Sequence, residues 1–302
     1  MTTRQPSAAK QHLRHRLDAE ARLMCEPRGH GMMSGTMLVP STRPDCDTGV
    51  LYLETSGCLP MCGHATIGTT TFAIERGLVT PKTPGVLRLD TPAGVVEAHY
   101  TRAPNGKVTG VRFSNVPSFV VARGVVIDHP ELGRLTFDIA YGGNFYPIVE
   151  PQETDRDCAD YAPETLQRMT RQFVALLPEI VHPDNPAIRG VHHTMWTGAP
   201  QAGGDGRSVV ITLPTIVDRS PCGTGTSARV ALRAARGEQD VGDTFVHESV
   251  ISSTFTGRVE RHVTLDCGLP AIIPSVEGSA YSTGTSTHFV DDTEPYATGF
   301  LA

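Results

Sequence analysis

Lysine is scarce in this chain. It occurs only at Lys10, Lys82 and Lys107, and none of these positions lies in a recognisable motif. An enzyme that uses pyridoxal phosphate needs a lysine to form a Schiff base with the cofactor. We therefore expect no pyridoxal phosphate, and the sequence points to no other cofactor.

Long apolar runs and clusters of basic residues are also missing. No run of about 18 apolar residues occurs, so no membrane partner is expected. The formal net charge is −6 and the arginines are scattered, so we expect no nucleic-acid partner. Residues 1–21 are polar and lack the apolar stretch of a signal peptide, which predicts a cytoplasmic protein. The seven cysteines are an odd number, which favours free thiols over a disulfide framework.

A weak internal repeat is the most informative feature of the sequence. Cys62 opens Cys-Gly-His-Ala-Thr-Ile-Gly, and Cys222 opens Cys-Gly-Thr-Gly-Thr-Ser-Ala. Each stretch continues through small and apolar residues to an Arg-Gly pair, and the final glycine follows the cysteine by 15 residues in both copies. Each stretch predicts a helix that begins just after the cysteine and ends at a C-cap glycine.

Similar blocks flank the two copies. We predict a strand before each helix, at 49–54 and 208–213, and a strand with a glycine turn after each, at 91–98 and 254–261. Both helices are rich in small residues, which allow close approach from several sides and suit a helix enclosed by a curved sheet. The alternative is a coincidence between two buried strand–helix units.

The two cysteines stand where acid–base chemistry is favoured. A helix N-terminus presents unpaired N–H groups and about half a positive charge, which stabilise a carboxylate or a thiolate. If the two copies face each other, a small amino acid fits between them, with its carboxylate on the N–H groups and a sulfur on each side of Cα. Gly63 and Gly223 would let the backbones come close. Inversion at Cα needs one group on each face, which makes Cys62 and Cys222 a candidate pair.

Three further polar residues are candidates for the same site. His64 lies two residues after Cys62, Asp218 lies four before Cys222, and His193 stands in His-His-Thr-Met-Trp. An aspartate could hold the substrate ammonium or imino group. Taken singly, however, an aspartate before a helix is more often a cap, and a lone histidine is more often a satisfied polar residue.

Two segments resemble the catalytic motifs of the proline racemase superfamily. They are Met-Cys-Gly-His-Ala-Thr-Ile-Gly at 61–68 and Asp-Arg-Ser-Pro-Cys-Gly-Thr-Gly-Thr-Ser-Ala at 218–228. The resemblance extends from about residue 22 to the end of the chain. Other segments that share it are 26–30, 90–94, 141–145 and 278–300.

The resemblance implies an α/β fold of the diaminopimelate-epimerase type. In that fold two pseudo-symmetric halves each wrap strands around a central helix, and the active site lies between them. We assign residues 1–115 plus 275–302 to the first half, which carries Cys62, and residues 116–274 to the second, which carries Cys222. The implied catalytic residues are Cys62 and Cys222, and the implied substrate-binding residues are Gly63, His64, His193, Asp218, Gly223 and Thr224. The expected partner is a small-molecule imino acid, with a homodimer as the candidate assembly.

The superfamily contains proline racemases, 4-hydroxyproline 2-epimerases and trans-3-hydroxyproline dehydratases. Its dehydratases usually carry threonine in place of the second cysteine, so Cys222 favours inversion of proline or 4-hydroxyproline, with a dehydratase as the alternative. Residues 26–30 and 141–145 look more like the proline racemases than the 4-hydroxyproline epimerases.

The chain also departs from the family pattern. Residues 1–23 replace a longer family segment with an early strand, Met32 stands where an acidic residue is common, and Ala65 stands where glycine is frequent. These departures leave open a paralogue that binds an imino acid without turning it over.

Two other kinds of site are alternatives. Residues 223–228 match the loose dinucleotide pattern G-x-G-x-x-A, although residues 214–221 separate them from the preceding strand. Cys58, Cys62 and His64 have a spacing that could ligate zinc. We nevertheless predict no metal, because Cys222 lacks a matching set of partners.

Overall fold

The computed structural model describes residues 22–55, 57–214 and 216–301. The prediction of a cytoplasmic location rests on residues 1–21, which lie outside the described residues. The helices of 13 residues are α1 (Gly63–Glu75), α2 (Pro163–Ala175) and α3 (Gly223–Ala235), and Cys158–Asp160 form a short 3-10 helix. The strands are β1 (Ser34–Val39), β2 (Thr48–Glu54), β3 (Gly57–Leu59), β4 (Val86–Thr91), β5 (Gly94–Arg102), β6 (Val108–Ser114), β7 (Phe119–His129), β8 (Gly133–Tyr141), β9 (Phe145–Val149), β10 (Val181–His182), β11 (Asn185–Arg189), β12 (His193–Gly198), β13 (Gly206–Thr212), β14 (Ile216–Asp218), β15 (Thr244–Glu248), β16 (Thr254–Thr264) and β17 (Pro270–Gly278).

Most strands belong to one long sheet that runs through the whole molecule. Its order is β1-β2-β4-β5-β6-β17-β16-β15-β13-β12-β9-β8-β7, with β3 paired to β2 and β14 paired to β13. Helix α1 packs on β5, β6 and β1, and α3 packs on β16, β17, β8 and β7. The mixed α/β fold with two enclosed helices, as predicted, is confirmed.

The internal repeat of the sequence is a repeat of topology. In the first copy β2 is parallel to β4, the connection between them contains α1, and β3 folds back on β2. In the second copy β13 is parallel to β15, the connection contains α3, and β14 folds back on β13. The cysteine precedes the helix in the same place in both units.

Both central helices have the predicted bounds. They begin one residue after the cysteines, and each is followed by glycine in the left-handed region, with φ of 64° at Gly77 and 74° at Gly237. Their small residues are buried on several sides, including Thr66, Thr70 and Ala73 in α1. Sheet strands therefore surround each helix, as the small residues indicated.

The predicted glycine turn occurs only in the first copy. There Gly94, with φ of 129°, begins β5 after a turn from β4. In the second copy β16 runs unbroken through Gly257, so the prediction of a turn at 254–261 is wrong. A Cβ on Gly257 would lie 2.7 Å from Val230 Cγ2 and 2.8 Å from Thr226 Cγ2 of α3. Gly257 instead allows α3 to pack closely against β16.

Strand β17 joins the two predicted halves. It pairs with β16 along its length and with β6 through residues 275–278, so the sheet is continuous across the boundary at 274/275. The division into halves at 115/116 and 274/275 stays a prediction. Among the described residues, no helix has the length and apolar character that crossing a membrane requires.

Candidate active site

The N-termini of α1 and α3 meet at two glycines. A Cβ built on Gly63 would lie 2.5 Å from the Cα of Gly223, and a Cβ on Gly223 would lie 2.6 Å from the Cα of Gly63. The ring of Phe113 closes the same space, with its Cζ 2.9 Å from the Gly63 Cβ position. Only glycine fits at both positions, so the sequence of the two motifs fixes this close approach. It brings the positive ends of two helices, and the cysteines that cap them, to one place.

Cys222 is held in a strained and buried position. Its φ of 64° is unusual for a residue other than glycine and is typical of functional sites. The backbone N–H of Gly225 donates to its Sγ at 3.4 Å, and the hydroxyl of Tyr146 lies 3.3 Å from the same atom. These contacts orient the sulfur at the N-terminus of α3.

The pKa of the Cys222 thiol is raised, which contradicts the expectation of a stabilised thiolate at this helix. Burial is the largest cause, and the carboxylate of Asp218 adds to it. The hydrogen bonds from Tyr146 and from the N–H of Gly225 act in the opposite direction but do not outweigh burial. Cys222 is therefore a thiol at neutral pH.

His64 connects Cys62 to Asp218 of the other repeat. Both ring nitrogens lie 3.7 Å from the Sγ of Cys62, and Nδ1 lies 3.6 Å from Oδ2 of Asp218. Burial opposes protonation of His64, but Cys62 and Asp218 together outweigh burial and raise its pKa. Burial likewise disfavours the ionised form of Asp218, but His64 and the hydrogen bonds from Ser220 together outweigh burial and lower the pKa of this carboxyl. The arrangement is a cation held between a sulfur and a carboxylate.

Asp218 also makes a local hydrogen bond in the turn before α3. Its Oδ1 accepts from the backbone N–H of Ser220 at 2.8 Å. This contact lies in the turn before α3, whose N-cap is Cys222, and the second oxygen of Asp218 faces His64.

Thr224 lies beside Cys222 in a network that sequence reasoning did not find. Its Oγ1 is 2.6 Å from the Tyr146 hydroxyl and 3.8 Å from the Cys222 Sγ. The amide of Asn144 lies 3.4 Å from the same Oγ1 and donates to the carbonyl of Met61 at 2.9 Å. Asn144 thus links the residue before Cys62 to the residues that follow Cys222.

His193 lies behind this network. It begins β12, is buried, and its ring is 5.0 Å from the ring of Tyr146. Burial lowers the pKa of His193 to about 3, so the ring is neutral at physiological pH. Its predicted contact with the substrate stays a prediction.

A cavity of about 220 Å³ lies next to the pair His64 and Asp218. It also contains Glu54, at the end of β2, a buried residue that sequence reasoning missed. Burial raises the pKa of Glu54 to about 7. The remaining lining residues are Met32, Ser34, Thr212, Ile216, Val217, Arg219 and Ser220.

The structure does not support the two other kinds of site. In the described part of the chain, no group of three or more His, Cys, Asp or Glu residues is arranged to hold a metal ion, which leaves the zinc set of Cys58, Cys62 and His64 without support. Strand β14 intervenes between β13 and α3, and Gly223 is packed against Gly63, so the glycines do not form the strand-to-helix turn of a dinucleotide site.

Comparisons with known proteins agree with this geometry. A family model described as proline racemase matches residues 4–301. A curated 4-hydroxyproline 2-epimerase of Ancylobacter novellus is 56% identical over 283 residues, covering 92% of this chain and 84% of the relative. A 4-hydroxyproline epimerase of Brucella melitensis is 52% identical over 290 residues, covering 93% of this chain and 85% of the relative.

Solved structures give the same result. A probable proline racemase from Agrobacterium radiobacter, with bound carbonate, has a TM-score of 0.86 at 35% identity and covers 94% of this chain and 84% of its own. A hydroxyproline epimerase from Agrobacterium vitis, with bound trans-4-hydroxy-L-proline, has a TM-score of 0.83 at 30% identity. The match covers 98% of this chain and 84% of the epimerase chain. By family model, curated relatives and structure alike, the chain belongs to the proline racemase family.

Proposed function

We propose that this protein is a 4-hydroxyproline 2-epimerase that inverts Cα with Cys62 and Cys222 as its acid–base pair and without a cofactor. The observation that carries the proposal is the contact between Gly63 and Gly223, because it brings both cysteines to one site between two helix N-termini. The relatives at 52–56% identity are named for epimerisation of 4-hydroxyproline, which supports an imino acid as the substrate. They favour 4-hydroxyproline over proline, contrary to the preference drawn from residues 26–30 and 141–145.

The substrate carboxylate binds, in this proposal, to the first N–H groups of the two helices. These N–H groups, at Gly63 and His64 in α1 and at Gly223 and Thr224 in α3, have no partner within their own helix. Two helix N-termini stabilise the negative charge that spreads onto the carboxylate when Cα loses its proton. The carbanion then forms at lower cost than it would in water.

The two sulfurs share one proton between them. Cys222 starts as a thiol because burial raises its pKa, and the ring of His64 lies 3.7 Å from the Sγ of Cys62. Cys62 removes the α-proton of one enantiomer, and Cys222 delivers its own proton to the opposite face of Cα. The reverse direction exchanges the roles, so titration belongs to the pair.

Asp218 and His193 complete the proposed site. Asp218 is ionised and lies beside the cavity, where it can accept a hydrogen bond from the substrate nitrogen. His193 is neutral and supports the ring of Tyr146, which orients Cys222. The cytoplasmic location and the homodimer stay predictions.

A substrate panel tests the proposal. Purified protein is incubated with trans-4-hydroxy-L-proline, L-proline or trans-3-hydroxy-L-proline, with a chelator present and no pyridoxal phosphate added. We expect cis-4-hydroxy-D-proline to form from the first compound, detected by chiral chromatography, because C2 alone is inverted. Loss of water from the 3-hydroxylated compound without epimerisation of the 4-hydroxylated one would make the protein a dehydratase. Binding without turnover of any of the three would make it an inactive paralogue.

A further inference from the structure

Glu54 is the acidic residue of the cavity that has an uncommitted oxygen. Its Oε1 accepts from Ser34 Oγ at 3.3 Å, whereas its Oε2 is buried and has no hydrogen-bond partner among the described residues. The side chain is only 4% exposed. A buried polar atom without a partner costs about 1–3 kcal/mol, so such an atom beside a ligand cavity indicates a partner supplied by the ligand.

The other carboxylate of the cavity, that of Asp218, and the nearby His64 already have partners. Asp218 is engaged by His64 and by the N–H of Ser220, and His64 in turn contacts Cys62. In the proposed function these groups and the helix N-termini serve the carboxylate and the nitrogen of the substrate. Hydroxyproline has a third polar group, the hydroxyl on C4, on the side of the ring away from the carboxylate. That hydroxyl needs an acceptor, and Glu54 is the carboxylate of the cavity that these roles leave free.

We propose that Glu54 accepts a hydrogen bond from the 4-hydroxyl of the substrate and thereby selects hydroxylated imino acids over proline. The proposal rests on the epimerase function described above. Hydroxyl side chains of Ser34 and Thr212 line the same cavity and make this wall polar. Proline would leave Oε2 of Glu54 buried and unpaired, whereas 4-hydroxyproline satisfies it. A site built around a substrate hydroxyl rejects the analogue that lacks it, by up to about 10⁵-fold.

The test compares substrate preference in variants of Glu54. The quantity measured is the ratio of kcat/KM for trans-4-hydroxy-L-proline to that for L-proline. In the parent we expect a ratio of at least ~10², and in Glu54→Leu a ratio within about tenfold of unity, because leucine removes the acceptor. Glu54→Gln keeps the shape and one acceptor oxygen, so it should fall between them.

Glu260→Gln is the matched control. Glu260 lies on β16, outside the cavity lining, and accepts from Arg112 at 3.2 Å and from Ser275 at 2.6 Å. This change of carboxylate to amide should leave the ratio at the parent value. A shifted ratio in the control would show that the preference responds to charge in general, and would overturn the proposal.

Substrate analogues test the same contact in the unaltered protein, where folding of a variant plays no part. trans-4-Fluoro-L-proline has a similar ring but cannot donate a hydrogen bond, so it should behave like proline. Turnover of the fluorinated analogue as fast as that of the hydroxylated substrate would show that Glu54 is not the acceptor of the hydroxyl. An equal loss of kcat/KM for both substrates in Glu54→Gln would show the same. Failure of the parent to epimerise either substrate would instead refute the epimerase function itself.

Discussion

Replacement of Cys222 by serine should abolish epimerisation in both directions. A hydroxyl is a far weaker acid than a thiol, whose ordinary pKa is about 8.5, and the buried position disfavours its ionisation further. Since inversion needs a proton donor or acceptor on each face of Cα, we expect both rates to fall by about 10³-fold or more. Chiral chromatography of reactions started from each enantiomer measures the loss. Cys62→Ser should behave in the same way.

Cys267→Ser provides the control for this substitution. Cys267 is exposed and lies outside the site, so its replacement should leave the epimerisation rate at the parent value. If Cys222→Ser still inverted the substrate at nearly the parent rate, the acid–base pair would have to be sought elsewhere. His64 and Asp218 would then be the first residues to examine, because they form the neighbouring charged pair.

The substitution Gly63→Ala should disable the site without removing any reactive group. Its Cβ would lie 2.5 Å from the Cα of Gly223, a backbone atom that cannot swing aside, so the two helix N-termini must separate. A displacement of about 1 Å in an active site costs roughly 10²-fold in rate, and overpacking costs about 1–3 kcal/mol of stability. Steady-state kinetics and denaturant unfolding measure the two effects.

Gly68→Ala separates this effect from a general change in the helix. Gly68 lies in the same helix, and a Cβ there would meet nothing within 4 Å among the described residues. Alanine is a better helix former, so the variant should gain up to about 1 kcal/mol of stability and keep its activity. Parent-like activity in Gly63→Ala would show that the close approach of the helices is not what assembles the site.

The sequence predicted those parts of the fold that depend on residues close together along the chain. The helix bounds follow from a cysteine at one end and an Arg-Gly pair at the other, and both are confirmed in α1 and α3. The two glycines after the cysteines predicted a close backbone approach, and their contact confirms it. Gly257, by contrast, looked like a turn residue, because sequence spacing does not reveal that a helix packs on that strand.

The parts of the site that escaped prediction depend on contacts between distant segments. Tyr146 lies in a uniformly buried strand, so nothing in its neighbourhood marked its hydroxyl as a partner of Cys222. Glu54 ends β2, and its burial is visible only in the folded chain. Asn144 lies in segment 141–145, whose two glycines were a signal of close packing. The raised pKa of Cys222 likewise follows from burial that a motif does not encode.

Proton exchange at Cα during the first few per cent of a reaction in deuterium oxide tests the two-cysteine mechanism most directly. The parent protein is given one enantiomer of the substrate, and both enantiomers are followed by proton NMR. With a separate group on each face, the product should carry deuterium at Cα while the remaining substrate keeps its proton. Product that retains the original proton, or substrate that exchanges faster than product forms, would show that one group serves both faces and would contradict the roles assigned to Cys62 and Cys222.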